Sequence, residues 1–256
     1  MDFNIPPSHP RYHSLLFREK IVEGMHTKVV TPNGLFAHGR GESLDYFIGE
    51  ETRDFALKGI RAAALTLSLA QYPVISVNGN VAALCPRDLV DLAQACGGKL
   101  EVNLFYRAPG REEAVAEVLY KAGALEVLGV GDDASATIPE LFSDRRRVSP
   151  QGIFKADAVF VPLEDGDRTE ALVAMGKKVV TVDLNPLSRT AKMSSVTVVD
   201  HIVRCMPLLV EACREVKKMD RTKALAELAN YDNKAVLGAS LRYMGNRLLT
   251  LAGEAQ

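Results

Sequence analysis

Residues 156–190 read ADAVFVPLEDGDRTEALVAMGKKVVTVDLNPLSRT. The stretch opens on an apolar run, ADAVFVPL, rich in the β-branched residues that suit a strand. It passes through a segment at about 167–175 with helical spacing of its apolar residues, then enters a second strand-like run, KKVVTVDL. Strand, helix, strand over so few residues makes a βαβ unit, in which the helix lets the two strands lie parallel. Both runs are apolar at odd and even positions alike, as in a sheet covered on both faces. Each then ends in groups that resist burial, EDGDRT (164–169) and DLNPLSRT (183–190).

The same alternation extends in both directions. PVISVNGN (73–80), KLEVNLFY (99–106), LEVLGVG (125–131) and SSVTVVD (194–200) read as further strands. Helices are expected from Ser8 and Pro10 to about Gly24, over about 52–71, from Pro86 to Gly97-Gly98, over about 111–122, over 201–218 and through the final 35 residues. Pro-Asn-Gly at 32–34 reads as a turn leading into the short run LFAHGRGES. The expected class is α/β: a Rossmann-like, mostly parallel sheet with helices on both faces and extra N-terminal and C-terminal helices. Residues 1–256 read as one α/β domain, with helical lobes at 1–70 and 220–256 around one sheet.

Composition narrows the function. A chain of 256 residues, 47% apolar, is long enough for a substantial core. A net charge of −1 leaves no basic excess for gripping nucleic acid. Cys85, Cys96, Cys205 and Cys213 form no CxxC and no metal-like spacing, which suits reduced, buried thiols. MDFNIPPSHPRYHS has no apolar signal core, and IRAAALTLSLA (60–70) is too short to span a bilayer. A cytoplasmic protein with no membrane partner is expected.

Ligands of an open parallel sheet bind beyond the carboxyl ends of its strands. Polar residues gather there five times: VNGN (77–80), NLFYR (103–107), EDGDRT, DLNPLSRT and VDHI (199–202). Capping accounts for one such cluster, and for Thr169 and Asp200 in particular. Five on one edge point to a site. No Walker loop is present, and GVGDDA (129–134), although it matches GxGxxA, sets Asp132 and Asp133 where a pyrophosphate would approach. A glycine-rich turn is the better reading there. Phosphate charge then falls to side chains: His38 and Arg40 in AHGRGE, Arg18 in FREK, Arg168, Arg189 and Lys192. The guanidinium fork suits phosphate and carboxylate oxygens.

SHPRYHSLLFRE, GLFAHGRGESLDYFIGE, PVISVNGNVAAL, EVNLF, VPLEDGDRTEAL and DLNPLSRTA occur in this order, and the chain from about 5 to 205 resembles the archaeal 4-phosphopantoate–β-alanine ligase family. The resemblance implies an enzyme of coenzyme A biosynthesis, a homodimer, that uses ATP with Mg²⁺ to join 4-phosphopantoate to β-alanine. A phosphopantoyl-adenylate forms, and the products are 4-phosphopantothenate, AMP and pyrophosphate. It implies ATP contacts at Arg18, Arg40, the Asp183-Leu184-Asn185 run, Arg189-Thr190 and His201-Ile202, with His201 standing where Asn is expected.

The residue types suit that chemistry. Several cations must offset two polyanions meeting at one phosphorus. Arg40, His38 and Arg189 are the expected catalytic groups. Asp183 is assigned to ribose, and Asn185 and Thr190 to adenine or phosphates. Glu101, Glu164 and Asp165 are candidates to keep the attacking amine neutral. Asn78, Asn80, Asn103 and Arg168 complete the expected substrate-binding set, with no metal ligand supplied by the chain. Two rivals stand beside this reading: an NAD(P)-dependent oxidoreductase built on the Gly129 turn, and a non-catalytic ATP-binding regulator.

Overall fold

The computed structural model describes residues 5–163 and 165–254. Glu164, one of the candidate carboxylates, lies outside the described residues. Three helices, α1 (Tyr12–His26), α2 (Pro32–Ile48) and α3 (Asp54–Leu69), precede β1 (Pro73–Val77). Then follow α4 (Gly79–Leu84), α5 (Pro86–Cys96), β2 (Lys99–Val102), α6 (Arg111–Lys121) and a two-residue-per-strand hairpin, β3 (Ala136–Thr137) with β4 (Arg147–Val148). The opening stretch supplies β5 (Ala158–Pro162), α7 (Gly166–Ala174), β6 (Lys178–Val182) and α8 (Arg189–Met193). The remaining elements are β7 (Val196–Val198), α9 (Ile202–Val216), α10 (Arg221–Ala229) and α11 (Asn233–Glu254).

The sheet runs β2-β1-β5-β6-β7, every neighbouring pair parallel. Phe160 on β5 sits beside Ile75 on β1 and Val180 on β6, so the two runs of the opening stretch are adjacent strands. Alternate residues go to opposite faces, as the strand period requires. Ile75, Val77, Phe160, Val180 and Val182 join the core with α3, α5 and α9, whereas Val74, Val159, Val161 and Val179 pack with Leu172 of α7 and with Ile138, Leu141, Val148 and Ile153. The expected α/β sheet is present, with one difference. Its second face is covered by one helix and an irregular segment around the small hairpin.

Three sequence expectations are corrected. Pro32-Asn33-Gly34 is no turn: Pro32 opens α2, where its missing N–H costs no hydrogen bond, and His38 and Arg40 therefore lie on a helix that runs to a left-handed Gly49 cap. KLEVNLFY pairs only as far as Val102. LEVLGVG is no strand; it touches the sheet edge through one bridge, Glu101 to Leu128, because positive φ at Gly129 and Gly131 turns the chain away.

The C-terminal helices are fastened to the sheet. The Asn233 side chain donates to the carbonyls of Ala191 and Ser194 and accepts the Thr197 N–H at 2.8 Å. Among the described residues no helix is long and apolar enough to cross a membrane.

Candidate active site

The carboxyl ends of β1, β5, β6 and β7 open into a cleft of ≈ 330 Å³ walled by α2. The sequence builds its floor from helix caps. Asn78 ends β1 and caps α4, its Oδ1 accepting the Val81 N–H while its amide donates to the Pro162 carbonyl at the end of β5. Asn80 donates to the Gly34 carbonyl at 2.8 Å and so holds the start of α2 over the floor. Between them Gly79 is obligatory: a Cβ there would lie 2.0 Å from the Val29 carbonyl oxygen.

Past β6, Asp183 is buried and lines the cleft, but its oxygens are committed locally. Oδ1 accepts the Asn185 N–H at 2.8 Å and Oδ2 accepts the Ser188 hydroxyl at 2.5 Å, while Ser188 in turn caps α8. Asp183 thus shapes the Leu184–Asn185 loop that faces the cleft.

Past β7, His201 caps α9, its Nδ1 accepting the Val203 N–H at 3.3 Å. Its ring stacks on Phe17 (centroids 4.8 Å apart) and meets the His38 ring edge-on at 6.4 Å. Burial pulls the His201 pKa down to about 4, and burial also lowers that of His38. At neutral pH His201 is uncharged, and with Nδ1 accepting, its proton sits on Nε2. Ile202 completes this side.

Two ion-pair straps position α2. Arg18 grips Glu42 through Nε (2.8 Å) and Nη2 (2.7 Å), and the Tyr46 hydroxyl donates to the same carboxylate. Arg204 grips Asp45 with Nη1 (2.8 Å) and Nη2 (2.6 Å) and reaches Asp200, whose other oxygen accepts the Thr52 hydroxyl. His38, Arg40 and Glu42, all carried by α2, line the cleft.

Of the residues expected at the site, His38, Arg40, Asn78, Asn80, Asp183, Leu184, Asn185, His201 and Ile202 line this cleft. The others sit elsewhere. Arg18 stands behind Glu42. Arg189 is exposed on α8 and pairs with Asp167 and Glu170 of α7. The Thr190 hydroxyl, fully buried, accepts the Asp165 N–H and ties the ends of the two quoted strands together.

Glu101 is fully buried, its carboxylate accepting the Ser149 and Ile153 N–H groups, and burial raises its pKa to about 7. That carboxylate organises the 149–153 turn, not the cleft. Arg168, also fully buried, donates to Ser76 at 2.7 Å and Asn103 at 2.6 Å and pairs through Nε with Asp165 at 2.7 Å. Burial lowers its pKa to about 9, so it stays charged at neutral pH. The Asn103 amide donates onward to the Arg145 and Arg147 carbonyls. These residues form a buried lattice under the strand ends.

Sequence reasoning missed Glu42, Arg111 and Arg145, which line the cleft. Glu42 lay inside the AHGRGE motif and became visible only once the segment was helical. Arg111 and Arg145 lie outside the strand-end clusters, and no local pattern marked them.

A family model described as phosphopantothenate/pantothenate synthetase matches residues 55–247. The chain is 53% identical to the 4-phosphopantoate–beta-alanine ligase of Thermococcus kodakarensis, over 98% of this chain and 96% of that one. Proteins of the same name from Methanosarcina mazei and Methanospirillum hungatei are 48% and 42% identical, covering 98% and 96% of this chain and 98% and 99% of their own lengths.

Proposed function

Since this chain belongs to the phosphopantothenate/pantothenate synthetase family, we propose that it is a ligase that joins 4-phosphopantoate to β-alanine at the expense of ATP. Its full-length relatives carry that activity in their names, and one observation on this chain supports it above others: the strand-end cleft holds both neutral hydrogen-bonding groups and guanidinium side chains.

In this reading the nucleotide lies over β6 and β7. The Leu184–Asn185 loop and the neutral His201, with its Nε2–H, hold the nucleoside, and Asp183 acts by shaping that loop. Arg40 meets the phosphates. A carboxylate oxygen of 4-phosphopantoate attacks the α-phosphorus; pyrophosphate leaves with the electron pair of the broken P–O bond. The amine of β-alanine then attacks the acyl carbon, AMP departs, and the amine's proton passes to solvent. Both steps rest on positioning and charge compensation.

Mg²⁺ belongs to this reading as part of the ATP complex. Among the described residues no group of three metal-ligating side chains occurs, and the acids facing the cleft are already tied: Glu42 to Arg18, Asp183 to Ser188, Asp200 to Arg204.

The test is the nucleotide product. Incubation with ATP, Mg²⁺, 4-phosphopantoate and β-alanine should yield AMP and pyrophosphate. ADP and phosphate would replace the adenylate with an acyl phosphate, and ATP binding without any product would leave a regulator.

A further inference from the structure

An amino acid reaches an enzyme as an ammonium ion, and its nitrogen attacks an acyl carbon only after a proton has left. The group that takes this proton needs a pKa near the working pH and an open lone pair inside the cleft. Of the carboxylates expected in that role, Glu101 is sealed beneath the 149–153 turn and Asp165 lies between Arg145 and Arg168. The acids that do line the cleft are committed as well. Asp183 holds the Asn185 N–H and Ser188, and Asp200 holds Thr52, Arg204 and the His201 N–H. Burial would raise the Glu42 pKa, but the bonds from Arg18 and Tyr46 outweigh it and leave Glu42 below the usual carboxylate range, a weak base. His201 is weaker still, its Nδ1 already bonded to the Val203 N–H and its pKa brought to about 4 by burial. Among the described residues no lysine or cysteine lines the cleft.

His38 differs from all of these. It is half-buried, its ring meets His201 edge-on, and among the described residues no hydrogen bond occupies either ring nitrogen. Helix α2 carries it across the strand ends. One turn earlier Gly34 accepts the Asn80 amide past β1, and one turn later a Cβ on Gly41 would lie 3.6 Å from Leu184 Cδ1 past β6. The groups around the ring are the neutral His201 at the start of α9, Glu42 on α2 and Arg18 on α1. Burial lowers the His38 pKa most, Glu42 raises it and Arg18 lowers it again. The imidazole is therefore uncharged at neutral pH and able to accept a proton.

We propose that His38 is the general base of the second half-reaction, taking the first of the two protons that the β-alanine nitrogen loses between ammonium and amide. The ligase reading supplies the substrate. The freed lone pair forms the C–N bond, the acyl C–O bond breaks with its electron pair leaving on AMP, and the second proton passes to solvent. The imidazolium then returns its proton to water. The first half-reaction needs no such group, because the attacking carboxylate is already ionised.

Hydroxylamine separates this role from positioning, since it is uncharged at neutral pH and attacks without a base. At saturating substrates His38→Gln should slow product formation with β-alanine by about 100-fold or more. Hydroxylamine trapping of the activated acid and ATP–pyrophosphate exchange should stay within about threefold of the unaltered protein. His38→Asn should behave alike. Equal losses with both amines would make His38 a positioning residue, and an unchanged rate with β-alanine would remove it from the reaction; either result overturns the proposal. So does a loss confined to β-alanine in Glu164→Gln and absent from His38→Gln, which assigns the base to Glu164. A failure of the ligase reading shows in the unaltered protein instead. ADP in place of AMP changes the activated acid yet keeps the comparison of amines decisive, and no product with either amine ends both readings.

Discussion

Arg18 and Glu42, 24 residues apart, meet in a two-pronged pair, Nε to Oε2 at 2.8 Å and Nη2 to Oε1 at 2.7 Å. The pair binds α1 to the middle of α2, and Arg18 reaches the cleft only through Glu42. If Arg18 serves by holding α2 in place, Arg18→Ala, Glu42→Gln and the double variant should weaken ATP binding by the same amount, since the members of one pair are not additive. Calorimetry of all three checks this. A larger loss for Arg18→Ala than for Glu42→Gln would give Arg18 a contact of its own with the nucleotide.

Asp183→Ala should lower both stability and ATP affinity. The carboxylate holds the Asn185 N–H and the Ser188 hydroxyl, and its removal leaves buried donors unpaired, at a cost of about 2–3 kcal/mol. For a chain of this size the thermal midpoint without ligand should fall by roughly 5 °C or more. An unchanged midpoint with weakened ATP binding would return Asp183 to direct ribose contact.

Burial holds the folded His201 near pKa 4, below the ordinary 6.5. The unfolded chain therefore takes up the proton first, so this stability is fully present above about pH 6.5 and is lost as pH falls toward 4, by roughly 3 kcal/mol at most. Glu101 runs oppositely: burial raises it from 4.5 to about 7, so its contribution is present below 4.5 and is lost as pH rises to 7. His201→Asn keeps a good capping residue and removes the first effect alone. The difference in melting temperature between the two proteins should change steadily from pH 6.5 to 4, and a flat difference would mean His201 is protonated in the fold.

Gly129 and Gly131 should differ sharply on substitution. A Cβ on Gly129 would lie 2.4 Å from the Val102 carbonyl oxygen, whereas one on Gly131 meets nothing within 4 Å; both have positive φ. Gly131→Ala should cost about 1 kcal/mol from its backbone conformation alone, and Gly129→Ala clearly more. Asp133 accepts the Gly129 N–H at 2.6 Å, and a single 3₁₀ turn follows where a dinucleotide site needs a helix. NADH fluorescence titration should accordingly show no saturable binding, and tight binding lost in Gly131→Ala would restore the oxidoreductase.

The two strand-ending motifs, GDRT at 166–169 and LSRT at 187–190, show what sequence alone determined and what it left to the tertiary structure. Hydropathy period and helix length are local, so most of the alternation of strands and helices and the parallel sheet were legible in the chain, whereas α2 was read as a turn and a short run and LEVLGVG as a strand. The adjacency of β5 and β6 was legible too, because one helix joins them. The fates of the two arginines were not. Arg168 turns inward beneath the ends of β1 and β2, where Ser76 and Asn103 receive it, and Arg189 turns outward to the acids of α7. Strand order decides this, for β5 lies next to β1 while α8 lies beyond β6, and order depends on contacts between residues far apart in the chain. For the same reason Arg111 and Arg145, 34 positions apart and each unremarkable alone, come to line one cleft only when the chain between them folds back over the sheet.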